Sequence, residues 1–392
     1  MKTINDKLQA LQRKIYACTE PISIMILGLG SVGNYLFDYL VSSSNPRLHI
    51  IVAGRNRDKL MQDVNIIKTA ATIRRQMYCR ISVEGGCNLD DIDSIATVLR
   101  KWNPDFIINA SRVYAGLKYG SISWHNLRAY GIWTPLSIRY ARNIMLAYEK
   151  AGCSAISINT SYSDAVIPWL KSAGLPYFDF GSGNLNHLIP RIKFHIAEKQ
   201  GIVDYNDIDI TLATSHFHDV VISKEGHSEG QTLLIAINHK LLNAEEQQVI
   251  WKDCSIAMPV DQKRNMMNAS SNYNIIQSII TAIDNHSSEK IHSPGVDGEI
   301  GGYPFIVNAT GETVKAGIDT SVFSLEDMRV ANRESIYMDG IENVSEGSLF
   351  YTDELIAKVK KAFNVVLPKQ VKFEEIESVG NFIIENIIKP NL

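Results

Sequence analysis

Residues 24–40 read IMILGLGSVGNYLFDYL. An apolar run, three glycines and an amphipathic continuation follow one another without a gap. The run from Ile22 to Leu27 suits a strand buried on both faces, and Val32, Leu36 and Leu40 fall on one side of a helix that begins after Gly30. Between them stands Gly28-x-Gly30-x-x-Gly33. In a strand–turn–helix setting the first glycine turns the chain, the second lets backbone approach a pyrophosphate, and the third lets helix and strand pack closely. The free N–H groups and positive dipole end of the helix would then face an anion. Gly28, Gly30, Ser31, Val32 and Gly33 are therefore expected to bind a dinucleotide.

A second apolar run, LHIIVAG from Leu48, completes a strand–helix–strand unit and ends in Gly54, Arg55, Asn56 and Arg57. An acidic residue at this strand end would bind the ribose hydroxyls of NAD. None is present. Two guanidinium groups there suit a 2′-phosphate, so the cofactor expected is NADP, with NAD possible. The alternation continues through a helix from Asp58, a strand at ISVEGG, a helix from Asp90 to Trp102, the strand-and-loop DFIINASR, a helix ending in SIRYARNIMLAYEKAG, and the strand SAISINTS. This rhythm predicts an α/β fold, a Rossmann-type doubly wound parallel sheet. Ligands of such sheets lie beyond the carboxyl ends of the strands, which adds Asn109, Ala110, Ser111, Arg112 and Asn159 to the expected site.

After about Leu170 the pattern changes. DIDITLATSHFHDVVIS and QTLLIAINHK read as long strands, and a Gly/Pro-rich segment leads to GGYPFIVNATGE. The expected organisation is a leader helix over 1–21, a Rossmann domain over 22–170, an α+β domain with antiparallel strands over 171–345, and C-terminal helices over 346–392. The pair Gly301-Gly302 reads as a tight turn.

The chain has 392 residues, 45% of them hydrophobic and 21% charged, with a formal net charge of -3. That is the composition of an ordinary soluble protein, and it offers nothing to a nucleic-acid backbone. The N-terminal residues carry no signal-peptide core or membrane span, so a cytoplasmic protein without membrane attachment is expected. Five scattered cysteines contain no CxxC pair, and reduced thiols are the simplest reading.

The order INASR, RNI, SINTSYSD, FGSGNLNHLIPRI, SHFHD and GGYPFIVNATGE resembles the L-lactate and L-malate dehydrogenase superfamily over residues 22 to 315. The resemblance implies hydride transfer between a nicotinamide and a small carboxylate-bearing substrate, and homo-oligomers. It implies that Asn159 touches nicotinamide and substrate, that Asn143 sits in the matching Arg-Asn stretch, that Arg112 and Arg191 bind substrate, and that His216 or His218 is the acid/base. The family's Leu-Asp-x-x-Arg appears here as LNHLIPR: Asn186 and His187 stand near the place of the aspartate that should orient the histidine. Lys118 and Arg128 are the cations nearest the place of the family's mobile-loop arginine. The Gly-Arg after the second strand is also similar to saccharopine dehydrogenase-like reductases, which act on imines or carbonyls.

His216 and His218, two apart on an expected strand, would share a face. Catalysis, ordinary structural bonding and a metal pair joined by Asp219 or His227 all remain open on that basis; no metal is the reading adopted. A different class of function is a non-catalytic NADP-binding sensor or scaffold, motivated by the aspartate and arginine that the family pattern lacks here. Methyl transfer from S-adenosylmethionine is disfavoured by the paired arginines at the second strand end.

Overall fold

The structure is a computed structural model that describes residues 2–392 apart from 115–116, 184, 231–232 and 256–261. Asn184 and the side chains of residues 117, 118 and 121, Lys118 among them, also lie outside the described residues.

Helix α1 (Ile4–Ala17) opens on a reciprocal cap between Thr3 and Asp6. Its Lys7 is buried against Asp179 at 2.7 Å, which ties the leader to the sheet. The sheet runs β1 (Ile22–Leu27), β2 (Leu48–Ala53), β3 (Arg80–Glu84), β4 (Phe106–Asn109), β5 (Ile156–Asn159) and β6 (Phe180–Gly181). Its order, β3-β2-β1-β4-β5-β6, is all parallel, as in doubly wound dinucleotide-binding sheets. Helices α2 (Ser31–Ser42), α3 (Arg57–Ile73), α4 (Ile92–Trp102), α5 (Leu117–Asn126), α6 (Thr134–Lys150) and α7 (Ser163–Ser172) lie between or after these strands. Period-two alternation splits the β1 side chains between two cores. Ile22, Ile24 and Ile26 pack into one, and Met25 and Leu27 into the other.

Beyond the parallel sheet come α8 (Leu185–Gln200), β7 (Ile210–Ala213), α9 (His216–Glu225), β8 (Leu234–Ile237), β9 (Lys240–Leu241), α10 (Ala244–Cys254) and the long α11 (Asn265–Asn285). Then follow β10 (Ser288–Pro294), β11 (Gly302–Asn308), β12 (Lys315–Ile318) and α12 (Leu325–Met338). Two antiparallel three-stranded sheets form here, β7-β8-β9 and β10-β11-β12, in accord with the predicted second pattern.

Two expectations fail. DIDITLATSHFHDVVIS is not one strand: it breaks after β7 at Thr214 and turns helical at His216. Asp164 of α7 accepts from the His216 N–H at the helix start, Asp219 stands in the first turn and left-handed Gly226 ends the helix, against the strand preference of Val220, Val221 and Ile222. The segment 346–392 is not purely helical either. A third antiparallel sheet, β13 (Ile341–Ser345), β14 (Ser348–Tyr351) and β15 (Gln370–Lys372), holds α13 (Asp353–Phe363) and precedes α14 (Ile376–Ile383).

Candidate active site

The glycine loop has the geometry its spacing implies. Gly28 takes φ +91°, and a Cβ there would strike Ser111 Oγ at 1.8 Å. A Cβ on Gly33 would lie 2.2 Å from the Gly28 carbonyl oxygen, so α2 can approach β1 only without it. At Gly30 nothing lies within 4 Å: the backbone is open to a ligand where a pyrophosphate would sit. Gly30, Ser31, Val32 and Ala110 line one end of a cavity of about 390 Å³. These residues fit a dinucleotide.

Other expected cofactor ligands have their side chains engaged elsewhere. Asn109 donates to Asn159 Oδ1 at 2.9 Å, and Asn159 in turn donates to Ser161 O and Ser163 Oγ; both are fully buried. They tie the ends of β4 and β5 together. Ser111 Oγ donates to Leu27 O, filling the space beside Gly28. At the end of β2, Asn56 caps α3 through Lys59 N, and Arg57 donates to Val83 O at 2.8 Å. Gly54 makes backbone bonds to β3 and the loop after it, while Arg55 is exposed.

His216, the first residue of α9, lines the same cavity. Its Nδ1 faces Asp339 Oδ2 at 2.9 Å. Tyr162 donates its hydroxyl to the same oxygen at 2.6 Å, and the Tyr130 backbone N–H donates to Asp339 Oδ1 at 2.7 Å. The Tyr130 and Tyr162 rings stand edge-on to the imidazole, with centroids 4.7 and 5.3 Å away. The second carboxylate, Asp164, accepts from the His216 backbone N–H at 3.0 Å and so caps α9 from another helix. Burial drives its pKa up to about 6. Burial pulls the His216 ring down, but the carboxylates of Asp339 and Asp164 and the Asp339 hydrogen bond outweigh it, and the pKa ends above its ordinary value.

The carboxylate beside His216 is thus Asp339, 123 residues further along the chain, and not a residue of LNHLIPR. Asp339 lies between α12 and β13, before Gly340 at φ +93°. No local signal marks it: an Asp-Gly pair at a helix end reads as a turn.

His218 is the second correction. On a helix, positions two apart point about 200° apart, so it faces inward while His216 faces the cavity. Its Nδ1 meets Ser335 Oγ at 2.7 Å and its Nε2 meets Glu229 O at 2.8 Å, and burial depresses its pKa. The shared face required of a metal pair does not exist. Asp219 is bonded to Arg191, and His227 to Glu229.

Arg191 is the third. It is 7% exposed, and its guanidinium donates to His187 O, Cys254 O, Asp219 Oδ1 and Ser223 Oγ. Every arm of the fork is spent inside α8, α9 and α10. Arg128 is paired with Glu225 and Glu229, and the Asn143 side chain donates to Leu89 O. His187 and Arg112 do line the cavity, together with Lys224 and Arg264.

No family model matches the sequence, and no curated protein does. Solved structures do. A malate dehydrogenase from Aeropyrum pernix superposes with a TM-score of 0.52 at 14% identity over 81% of this chain and 97% of that one. A lactate dehydrogenase from Cryptosporidium parvum, complexed with lactic acid and nicotinamide adenine dinucleotide, gives 0.51 at 14% identity over 82% and 97%. The malate dehydrogenase of that organism gives 0.50 at 12% identity over 81% and 98%. The chain has the lactate/malate dehydrogenase fold. None of these three structures is a saccharopine dehydrogenase-like reductase.

Proposed function

We propose that this protein is a nicotinamide-dependent oxidoreductase that interconverts a small 2-hydroxy acid and its 2-oxo acid. The observation that carries the reading is the cavity itself, in which an open glycine loop and a His216–Asp339 pair face one another beyond the carboxyl ends of a doubly wound sheet. The likeness in fold to malate and lactate dehydrogenases agrees with it.

A bound nicotinamide would give or take the hydride at the substrate carbon. The chain's own residues manage the proton. With Nδ1 on Asp339, His216 has Nε2 left for the substrate oxygen; it takes the hydroxyl proton as the alcohol is oxidised and returns it as the carbonyl is reduced. Asp339 fixes the tautomer and stabilises the charged ring, in the manner of an aspartate behind a catalytic histidine. Tyr162 and the Tyr130 backbone fix Asp339. The aromatic rings around the imidazole exclude water.

The cofactor we favour is NADP. Arg55 is exposed at the end of β2, available to a 2′-phosphate, and the one carboxylate at the end of the neighbouring strand, Glu84, is bonded to Lys101 and Trp102. Nicotinamide fluorescence titrations with NADPH and NADH, on wild type and Arg55→Asp, test this: wild type should bind NADPH more tightly and the variant should lose that preference. Failure of both cofactors to bind would overturn the dehydrogenase reading and leave a fold without its chemistry.

A further inference from the structure

We propose that Arg264 and His187 form the seat of the substrate carboxylate, the task that the chain's resemblance assigns to Arg191. The proposal rests on the dehydrogenase reading for the kind of ligand, a 2-oxo or 2-hydroxy acid.

A carboxylate in a cavity of this kind needs a cation with free donors, and Arg191 is buried with each of its three nitrogens already bonded, to two backbone carbonyls, Asp219 and Ser223. Among the described residues Arg112, Lys224 and Arg264 are the lysine and arginine side chains that line the cavity. Arg112 is exposed. The Lys224 ammonium lies 5.7 Å from the centre of the Trp124 ring. Arg264 is half-buried, and its side chain makes no hydrogen bond or ion pair among the described residues. It acts electrostatically on Tyr130, whose ring is 4.7 Å from that of His216, and on His187. The guanidinium lines the same cavity as His216 and His187, and the side chain of the next residue, Asn265, donates to Ser31 Oγ of the glycine loop.

His187 adds an independent observation. It is 8% exposed, lines the same cavity, and its Nε2 has no hydrogen-bond partner. Burial, with Arg191 and Arg264 adding to it, holds its pKa down at about 3, so the ring is neutral and able to share a hydrogen bond without adding charge. Two further buried polar atoms of the lining, Ser182 Oγ and Trp133 Nε1, also lack partners. Buried polar groups are ordinarily satisfied, and a cluster of unsatisfied ones around a cavity marks where a polar ligand belongs. Arg264 also sits at the N-terminal cap of the 21-residue α11, whose dipole favours an anion at that end. A planar guanidinium can take a carboxylate with two parallel hydrogen bonds, and the neutral His187, as the tautomer with its proton on Nε2, can donate to the same group from the side.

The test uses full-length protein and oxamate, a 2-oxo acid mimic that cannot be reduced, with its binding measured calorimetrically in the presence of nicotinamide cofactor. Arg264→Ala should weaken oxamate by about 10- to 100-fold, the range expected for loss of a charge-assisted hydrogen-bonded contact, and His187→Ala by less. Cofactor affinity, read separately by fluorescence, should stay unchanged, and Arg264→Lys should restore part of the oxamate affinity. Because Arg264 bonds to no other side chain among the described residues, its removal should leave the fold intact, which a thermal melt checks. The proposal is overturned if Arg264→Ala weakens the cofactor and spares oxamate, which would assign the arginine to the dinucleotide phosphates. It is overturned equally if Arg191→Met, still folded, is the variant that loses oxamate, or if the cofactor-loaded wild type binds none. Tight oxamate binding that depends on Arg264, with no turnover of any 2-oxo acid, would instead uphold the seat and refute the oxidoreductase reading.

Discussion

In the proposed reaction His216 gives and takes a proton at one ring nitrogen, which needs its other nitrogen fixed, and Asp339 stands at that other nitrogen. Removing its charge while keeping its shape separates orientation from electrostatics. In Asp339→Asn, burial acts on His216 without its main counter-charge, so the ring pKa should drop from above its ordinary value to below it. Reduction requires the protonated ring, and its activity is lost as pH rises through that pKa. The alkaline limb of kcat/KM should therefore move about one pH unit or more toward acid, and the plateau should fall by about 100-fold or more. A pH–rate profile of both proteins in the reducing direction checks this; an unmoved limb would remove Asp339 from the mechanism. At this scale the sequence offered His216 as one of two candidates, and it did not offer the contact with Asp339, because nothing local distinguishes that residue from any aspartate that ends a helix.

The glycine loop and α9 are the elements that decide the site. In the loop the three glycines do separable things. A methyl at Gly33 meets backbone at 2.2 Å and must push α2 away from β1, whereas a methyl at Gly30 meets nothing. Gly30→Ala should fold with its melting temperature within about 2 °C of wild type, as expected of a substitution that disturbs no packing, yet bind nicotinamide dinucleotide at least about 10-fold more weakly. Gly33→Ala should lose stability and binding together. Thermal melts beside fluorescence titrations distinguish the two; equal loss of stability in both variants would contradict the open space at Gly30. The loop was legible because its geometry is local: strand, turn and helix follow within seventeen residues. α9 was misread because Val220, Val221 and Ile222 favour a strand, while the carboxylate that caps its start, Asp164, comes from another helix and leaves only the stop at Gly226 as a local signal. The consequence reaches function, since strand geometry would have put His216 and His218 on one face.

Across the whole molecule, Asp164, His216 and Asp339 come from α7, α9 and the end of α12, and only the packed fold brings them together. The assembly leaves a mark on stability. Asp164 rises from its ordinary 3.8 to about 6 on folding, so the folded state holds its proton more tightly than the unfolded chain. Its contribution is present in acid and is lost as pH rises between those two values. Asp164→Asn should abolish this part of the decline. Urea denaturation at a series of pH values, compared between wild type and variant, would show the difference as a flatter profile; parallel profiles would mean that Asp164 ionises in the folded protein as freely as in the unfolded one. The sequence by itself determined the doubly wound sheet, the glycine turn between β1 and α2 and the antiparallel strands of the second half, because these follow from periodicity and spacing within a few tens of residues. Only the tertiary structure decided which histidine faces the cavity, that Arg191 is consumed by Asp219 and its neighbours, and that Asp339 stands behind His216. Those outcomes depend on which side chains meet after packing, and the chain encodes such meetings across more than a hundred residues, where no local pattern records them.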